Sequence, residues 1–302
     1  MRRQISKMLM ACVMAMTLMV VSAASAFAAG TGMDWSGDSK ITVQGMGVAP
    51  TYAVNAIQAR MLARRAAVVD AYRQLAEMVK GVNVDSETTV ENMMVTSDVT
   101  KTKVTALIQG ARIVSEQAVD GGGYTVTMEM SVFGASNSLA TAVLPTNTVP
   151  TSFPAPDASV PASTPSSVQV NVQVTPGTTI PSVTTPSHQG SSAAAAPAGQ
   201  AIGGYTGLIV DCRGLGLKPV MSPVIKNANG EPIYGYKNLD SATVIANGMA
   251  SYTTDLSKAS RAGSNPLVVK AVGLDNHNGN PILSVADANR VLIENGASGF
   301  LD

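Results

Sequence analysis

A charge-poor, proline-rich stretch from residue 135 to residue 201 is the feature that most limits how this chain folds. Ten of the 16 prolines lie in it, and Asp157 is its only charged residue. Such a composition provides too little apolar side-chain area to order a chain, and proline favours extended backbone. We therefore expect residues 135–201 to be a disordered linker that joins two folded modules, residues 31–134 and residues 202–302.

The first 28 residues have the pattern of a secretory signal peptide. Three basic residues begin the chain, and an uncharged, largely apolar run follows from Met8 to Val21. Ala26-Phe27-Ala28 provides a cleavage site, and the apolar run is shorter than the ~20 residues that a membrane-spanning helix needs. The pattern predicts export to a periplasmic or secreted location, with an uncleaved anchor as the alternative.

Charge and cysteine content narrow the class of protein further. The chain has 20 basic and 20 acidic side chains, so loss of the basic leader leaves a mildly acidic protein. Because nucleic-acid binders normally carry a basic face, we expect no nucleic-acid partner. Cys12 lies in the leader, so processing leaves Cys212 without an intramolecular disulfide partner. Cys212 is predicted to lie on the same face of a strand as apolar side chains, which favours a buried structural thiol over a reactive one.

The first module is predicted to be a long helix on an antiparallel sheet. Lys40–Val48 alternates like a strand, and residues 53–80 repeat apolar side chains every three or four positions, as an amphipathic helix does. The apolar stripe, which we expect to face the sheet, consists of Val54, Ile57, Met61, Val68, Tyr72, Leu75 and Val79. Further strands are predicted at residues 81–87, 111–119 and 124–132, whereas residues 88–110 fit either a helix or a strand.

Four stretches of this module resemble the Lpp-twenty envelope lipoprotein family. They are Gly45-Met46-Gly47, ARRAAVVDAYRQLAEMVKGVNVDSETTV from Ala63, ALIQGARIV and YTVTMEMSVFG. The same region, about residues 40–134, is similar to the N-terminal part of flagellar assembly protein T, a component of rings around the flagellar motor. The resemblance implies a helix packed across an antiparallel sheet and a cell-envelope location, with no catalytic residue to carry over.

The expected mature start departs from that family. Many members carry a lipid-modified cysteine directly after the signal, whereas this chain has Ala29-Gly30-Thr31-Gly32-Met33 there. We therefore do not expect membrane tethering by a lipid.

The second module is predicted to be α+β with short elements. Strands are predicted at residues 206–211, 218–225, 232–236 and 266–273, and helices at residues 240–247 and 284–296. Asn229-Gly230 is a strong hairpin signal, and Ser284 is suited to cap the last helix. The block GLIVDCRGLGLKPVMSPVI resembles a module that accompanies the Lpp-twenty domain in larger envelope proteins.

No group of residues in the sequence forms a recognisable catalytic or metal site. Asp211, Arg213 and Gly214-Leu215-Gly216 share features with a phosphate-binding loop. A third glycine and a following helix are missing, however, which favours a surface ion pair. His188 lies in the linker and His277 in a predicted hairpin turn, so a metal site would need the linker to fold onto that turn. We predict no enzyme activity, no cofactor and no metal.

Arg60, Arg64 and Arg65 give the long helix a charged flank. The simpler interpretation is a solvated face, with Arg73 and Glu77 paired one turn apart. The alternative is a partner-docking surface, because Arg65 interrupts the apolar stripe and arginine is enriched in interfaces.

These features together predict an exported, non-catalytic cell-envelope protein of fold class α+β with an assembly or protein-interaction role. A flexible tether would let one module be anchored while the other binds elsewhere. The expected partners are other envelope proteins, flagellar basal-body components among them. The alternatives are an envelope module that binds a small ligand or a cell-wall glycan, and a hydrolase with an unfamiliar site.

Overall fold

The computed structural model describes residues 31–37, 39–146, 149–164, 199–275 and 277–302. The chain forms two compact units. Of these described residues, the first unit contains 31–34, Lys40–Lys80 and Lys103–Val132, and the second contains those within 35–39, Gly81–Thr102 and those from Phe133 to Asp302. The predicted signal peptide, Cys12, His188 and linker residues 165–198 lie outside the described residues. Within the described chain no helix is both long and apolar enough to cross a membrane.

The first unit is a four-stranded antiparallel sheet covered by one long helix, which confirms the predicted α+β class. Its elements are β1 (Gly32–Asp34), β2 (Lys40–Val48), α1 (Ala56–Lys80), β3 (Arg112–Val119) and β4 (Gly123–Ser131). The strand order is β1-β2-β4-β3, and the predicted hairpin joins β3 to β4. Val48 of β2 and Val119 of β3 both lie opposite Gly123, so the turn and the end of β2 are at the same end of the sheet.

The face of α1 that packs on the sheet differs from the predicted stripe. The fully buried residues of the helix are Ala63, Ala67, Ala71, Leu75 and Val79. Leu75 and Val79 confirm the second half of the stripe, whereas the prediction is wrong for Val54, Ile57 and Met61, which are 84%, 75% and 68% exposed.

The glycines of β2 explain this shift. A Cβ atom built on Gly45 would lie 2.2 Å from the Ala67 carbonyl oxygen and 2.4 Å from the Ala71 nitrogen. A Cβ atom on Gly47 would lie 2.2 Å from the Ala63 carbonyl oxygen. The helix backbone therefore lies directly on the strand, which only small side chains on the facing side of α1 allow.

Two side chains of α1 also cover an edge of the sheet. β1 pairs only with the first residues of β2, as far as Thr42, and no other strand of the described chain follows this edge. Asp70 Oδ2 accepts the Met46 N–H at 3.0 Å, and Gln74 Nε2 donates to the Gln44 carbonyl at 3.0 Å. The Met46 N–H, followed by contacts with Arg73 and Gln74, lowers the pKa of Asp70. Both groups occupy positions that an added strand would otherwise use.

Residues 81–102 belong to the second unit, so the predicted strand at 81–87 is wrong. This segment instead hydrogen-bonds to residues further along the chain: Met221 N–H donates to the Asn83 carbonyl at 3.0 Å, and Ser222 N–H to the Val84 carbonyl at 2.8 Å. The side chains of Val82 and Val84 are buried. The open choice at residues 88–110 resolves to two helices, α2 (Val90–Thr96) and α3 (Asp98–Gln109).

The second unit contains short elements, as predicted, but the strand predicted at residues 218–225 is wrong, because only its last residue, Ile225, lies in a strand. Besides α2, its α-helices and strands are α4 (Leu139–Val143), β5 (Gly207–Asp211), β6 (Ile225–Asn227), β7 (Pro232–Tyr234), α5 (Ser241–Asn247), β8 (Pro266–Lys270), β9 (Gly273–Asp275), β10 (Asn280–Leu283) and α6 (Val285–Ser298). One sheet has the order β7-β6-β10-β9, and β5 pairs with β8 in a parallel two-stranded sheet. The Ser284 side chain accepts the Asp287 N–H at 3.1 Å, so it caps α6 as expected.

The predicted disordered linker is wrong at its N-terminal end. Leu139–Val143 form a helix with buried side chains. Residues 149–164, which we call the strap, have no helix or strand but are hydrogen-bonded to other segments of the second unit. Thr151 N–H donates to the Lys237 carbonyl at 2.8 Å, and Asp157 N–H to Asn289 Oδ1 at 2.7 Å. Polar partners for its main chain, rather than apolar burial, hold this segment in place.

Helix α6 holds the chain on both sides of residues 165–198. Arg290 donates to the Ser163 carbonyl at 2.6 Å and to the Gln200 carbonyl at 3.0 Å. Glu294 accepts the N–H groups of Ile202 and Gly203, each at 2.8 Å. Both ends of the proposed tether therefore belong to one unit, so the prediction that it separates modules 31–134 and 202–302 is wrong.

Candidate interaction surface

Large apolar side chains are exposed at one end of the first unit. We call this set the apolar tip: Met46, Val48, Tyr52, Val54, Ile57, Met61 and Val119, which are between 43% and 84% exposed. They lie at the end of β2, in the loop to α1, in the first turns of α1 and at the end of β3. Ala49 N–H donates to the Gly122 carbonyl at 3.1 Å, which joins that loop to the β3–β4 turn. A concentration of exposed apolar side chains is typical of a binding surface.

Sequence reasoning missed this surface because it placed three of its residues in the core. A signal was present in Gly45 and Gly47, which alternate with Gln44 and Met46 along β2 and face the helix. Two glycines on the buried side of a strand indicate close approach of another backbone. That approach favours alanine over isoleucine or methionine at the contact.

The predicted docking arginines lie beside the apolar tip. Arg60, Arg64 and Arg65 are all exposed on α1. Arg64 Nε donates to Glu116 Oε2 at 2.6 Å, which links the helix to β3 and raises the pKa of Arg64. Arg60 and Arg65 have no ion pair with the residues that the structure describes. Their charges are therefore available to an acidic group of a partner.

A ridge on the outer side of α1 continues the apolar tip. Ile57, Met61, Arg65, Val69 and Arg73 follow one another every four residues, so they lie along one side of the helix. A shallow groove beside this ridge is lined by Leu62, Arg65, Ala66, Val69, Asp70 and Arg73. At its far end Arg73 donates to Asp70 at 2.9 Å and to the predicted partner Glu77 at 2.8 Å. The unpaired positive charge therefore lies at the end next to the tip.

The residues with some features of a phosphate loop form an ion pair instead. Arg213 donates to both carboxylate oxygens of Asp211, at 2.9 and 2.6 Å, and these hydrogen bonds lower the pKa of Asp211 to about 2. The next regular element along the chain is the short strand β6, not a helix. No helix N-terminus follows the glycines to receive a phosphate.

His277 has a structural contact with its own unit. It adopts a positive φ of 48° in the β9–β10 turn, and its Nδ1 lies 3.0 Å from the Ser86 carbonyl oxygen. Asn280 Nδ2 donates to Ser86 Oγ at 2.9 Å, so both side chains hold the segment that precedes α2. Among the described residues no cluster of three histidine, cysteine, aspartate or glutamate side chains could hold a metal ion.

We expect Cys212 to react slowly with alkylating reagents. Burial, with a smaller contribution from the Asp211 charge, raises the pKa of its thiol to about 11. At pH 8 about one thiol in a thousand would be ionised, against roughly a quarter in an unfolded chain. Iodoacetamide labelling of the Cys212 peptide, followed by mass spectrometry, should be about 100-fold slower in the native chain than in urea. The native rate should rise with pH beyond 9, and a plateau near pH 8.5 would contradict the raised pKa.

Comparison with protein families gives two separate matches. Residues 37–131 match the LPP20 lipoprotein family, which confirms the resemblance found in the sequence. Residues 207–302 match the second domain of Treponema pallidum Tp0624. No curated protein matches the chain. The LPP20 match includes residues 81–102, which fold with the second unit. The same match supports the prediction of an extracytoplasmic envelope protein. The likeness to flagellar assembly protein T stays a prediction.

Proposed function

We propose that this chain, with its LPP20-like segment at 37–131, is an exported, non-catalytic envelope protein that works by binding other envelope proteins. The observation that carries the proposal is the apolar tip, where several large apolar side chains are exposed to solvent together. The alternative role in glycan or small-ligand binding has no comparable support.

The tip can supply substantial binding energy. Covering one side chain the size of isoleucine or methionine contributes about 1.5–3 kcal/mol, and Ile57 and Met61 are 75% and 68% exposed. Arg60 lies between them on α1, and Arg65 follows Met61 by one turn. An acidic side chain of the partner that pairs with either arginine would add orientation more than affinity. The partner surface should therefore be apolar at its centre and acidic at its rim.

The Met61→Glu variant tests this role of the tip. Glutamate in a buried apolar contact would be left without a partner, so association should weaken about tenfold or more. Cells would be treated with a crosslinker, and the amount of the chain recovered in large envelope complexes would be compared with that of the wild type. The variant should fold normally because the Met61 side chain is largely exposed to solvent.

Val95→Glu is the matched control. Val95 is 82% exposed on α2, away from the tip residues in the sequence, so its replacement should leave co-purification unchanged. Equal recovery of the Met61→Glu chain and the wild type would contradict the proposal. A loss in both variants would point to a non-specific effect of added charge.

The finer form of the proposal is association with the flagellar basal body. It rests on the resemblance of residues 40–134 to flagellar assembly protein T that the sequence predicts. The same crosslinking experiment tests it, since basal-body components should be recovered with the wild type and lost with Met61→Glu. If only other envelope proteins were recovered, the general role in binding envelope proteins would stand and the flagellar role would be contradicted.

A further inference from the structure

The second unit holds the strap through a buried asparagine. Asn289 is 3% exposed, and its Oδ1 accepts the Asp157 N–H at 2.7 Å. Its Nδ2 donates to the Asp157 carbonyl at 2.9 Å and to the Val160 carbonyl at 2.7 Å. One amide side chain thus binds both the donor and the acceptor of a single peptide residue, much as a neighbouring strand would.

Two more buried side chains hold the ends of the strap in the same way. Asn238 Nδ2 donates to the carbonyls of Thr151 and Ser152, at 3.2 and 3.3 Å. Arg290 Nε donates to the Ser163 carbonyl at 2.6 Å. Because these contacts go to the main chain, they do not depend on the amino-acid sequence of the bound segment.

Sequence preference comes from one aromatic contact and from proline. The ring of Phe153 stacks on that of Tyr234, with centroids 6.4 Å apart and planes 10° from parallel. Pro154, Pro156 and Pro161 restrict the strap to extended conformations, which lowers the entropy cost of binding it. The contacted face therefore suits a segment of the form Phe-Pro-X-Pro.

The strap leaves part of this face unsatisfied. Asn238 Oδ1 and Arg290 Nη2 are buried, and neither has a hydrogen-bond partner in the described chain. One is an acceptor and the other a donor, and they lie at opposite ends of the strap. Buried polar groups normally have partners, so a ligand that supplied both would fit better than the resident segment does.

We propose that the face formed by Tyr234, Asn238, Asn289 and Arg290 is a binding site for an extended, proline-containing chain segment with an aromatic residue. The strap is its resident ligand, and a segment of the same chemistry from another protein replaces it. This site lies in the second unit and does not depend on the role proposed for the apolar tip.

A labelled synthetic peptide of residues 149–164 tests the site by fluorescence anisotropy. Three full-length chains would be compared: the wild type, Phe153→Ala, and a chain in which a Gly/Ser sequence of equal length replaces the strap. The peptide should bind the strap-replaced chain saturably and the wild type at least about tenfold more weakly, because there the strap competes at high effective concentration. Phe153→Ala should lie between them, and Met61→Glu should behave as the wild type does.

Modified peptides separate this site from non-specific adhesion. Methylation of the Asp157 nitrogen removes the N–H that Asn289 accepts, so binding should weaken at least about tenfold. An Ala158→Ser peptide is the control, because Ala158 is exposed and should be neutral. Absence of binding to folded Phe153→Ala and strap-replaced chains would overturn the proposal, as would equal binding of the methylated peptide. If the strap-replaced chain does not fold, the affinity of the peptide for the Phe153→Ala chain is compared with its affinity for the wild type, and this comparison decides the proposal.

Discussion

Replacement of Gly45 by alanine should unfold the first unit or destabilise it by about 3 kcal/mol or more. The added Cβ would lie 2.2 Å from the Ala67 carbonyl oxygen and 2.4 Å from the Ala71 nitrogen. Both atoms belong to the backbone of α1, which cannot rotate away as the end of a flexible side chain can. Relief requires the whole helix to move off β2, which would expose the buried alanines and leave cavities beside Leu75 and Val79.

Amide hydrogen exchange in α1 and β2 measures the stability of this unit without assuming that both units unfold together. Gly110→Ala is the matched control within the same unit. A Cβ atom there would lie 3.4 Å from the Ala106 carbonyl oxygen, an ordinary contact, so its effect should stay within about 1 kcal/mol. Equal protection of the amides in Gly45→Ala and Gly110→Ala would show that α1 does not lie directly on β2.

The same contact explains what the sequence could predict for the first unit. Periodicity was sufficient to locate β2, α1 and the β3–β4 hairpin, because each element alternates or repeats in its own way. It identified the buried side of α1 only near Leu75 and Val79 and failed in the first half, since the helix carries apolar residues on two sides. Valine, isoleucine and methionine outweigh alanine on any hydrophobicity scale, yet the choice between the sides depends on Gly45 and Gly47, which lie in another element.

Composition failed for a different reason in the strap. Residues 149–164 have few large apolar side chains, which correctly indicates that they build no core of their own. Their order comes from Asn238, Asn289 and Arg290, more than 70 residues further along the chain. A test of local composition contains no information about partners at that distance. The available signal for an ordered strap was a group of polar side chains among apolar neighbours on one helix: Asn289, Arg290 and Glu294. Polar side chains that are buried need hydrogen-bond partners.

Replacement of Arg290 by alanine should destabilise the second unit by about 3–5 kcal/mol, the cost of leaving one buried charge without its partner. Arg290 and Glu294 are 1% and 0% exposed and lie 3.0 Å apart. The variant would also remove the donor to the Ser163 and Gln200 carbonyls, so the strap and the segment after residue 198 should both lose protection from exchange. Unfolding in urea would be followed by fluorescence of Trp35, the single tryptophan. Trp35 belongs to this unit, and the centroid of its ring lies 5.7 Å from that of Tyr252.

Arg73→Ala is the control, because Arg73 and Glu77 have the same i,i+4 spacing in an exposed position. Arg73 belongs to the first unit, so amide exchange in α1 measures its effect. Water solvates both of those charges when the pair is broken, so the cost should be below about 1 kcal/mol. A similarly small loss for Arg290→Ala would mean that the N–H groups of Ile202 and Gly203 alone satisfy the Glu294 carboxylate. The comparison thus shows whether the buried Glu294 carboxylate is stabilised by its ion pair with Arg290 or by peptide N–H groups. Only stabilisation by the ion pair requires Arg290 to stay buried on α6.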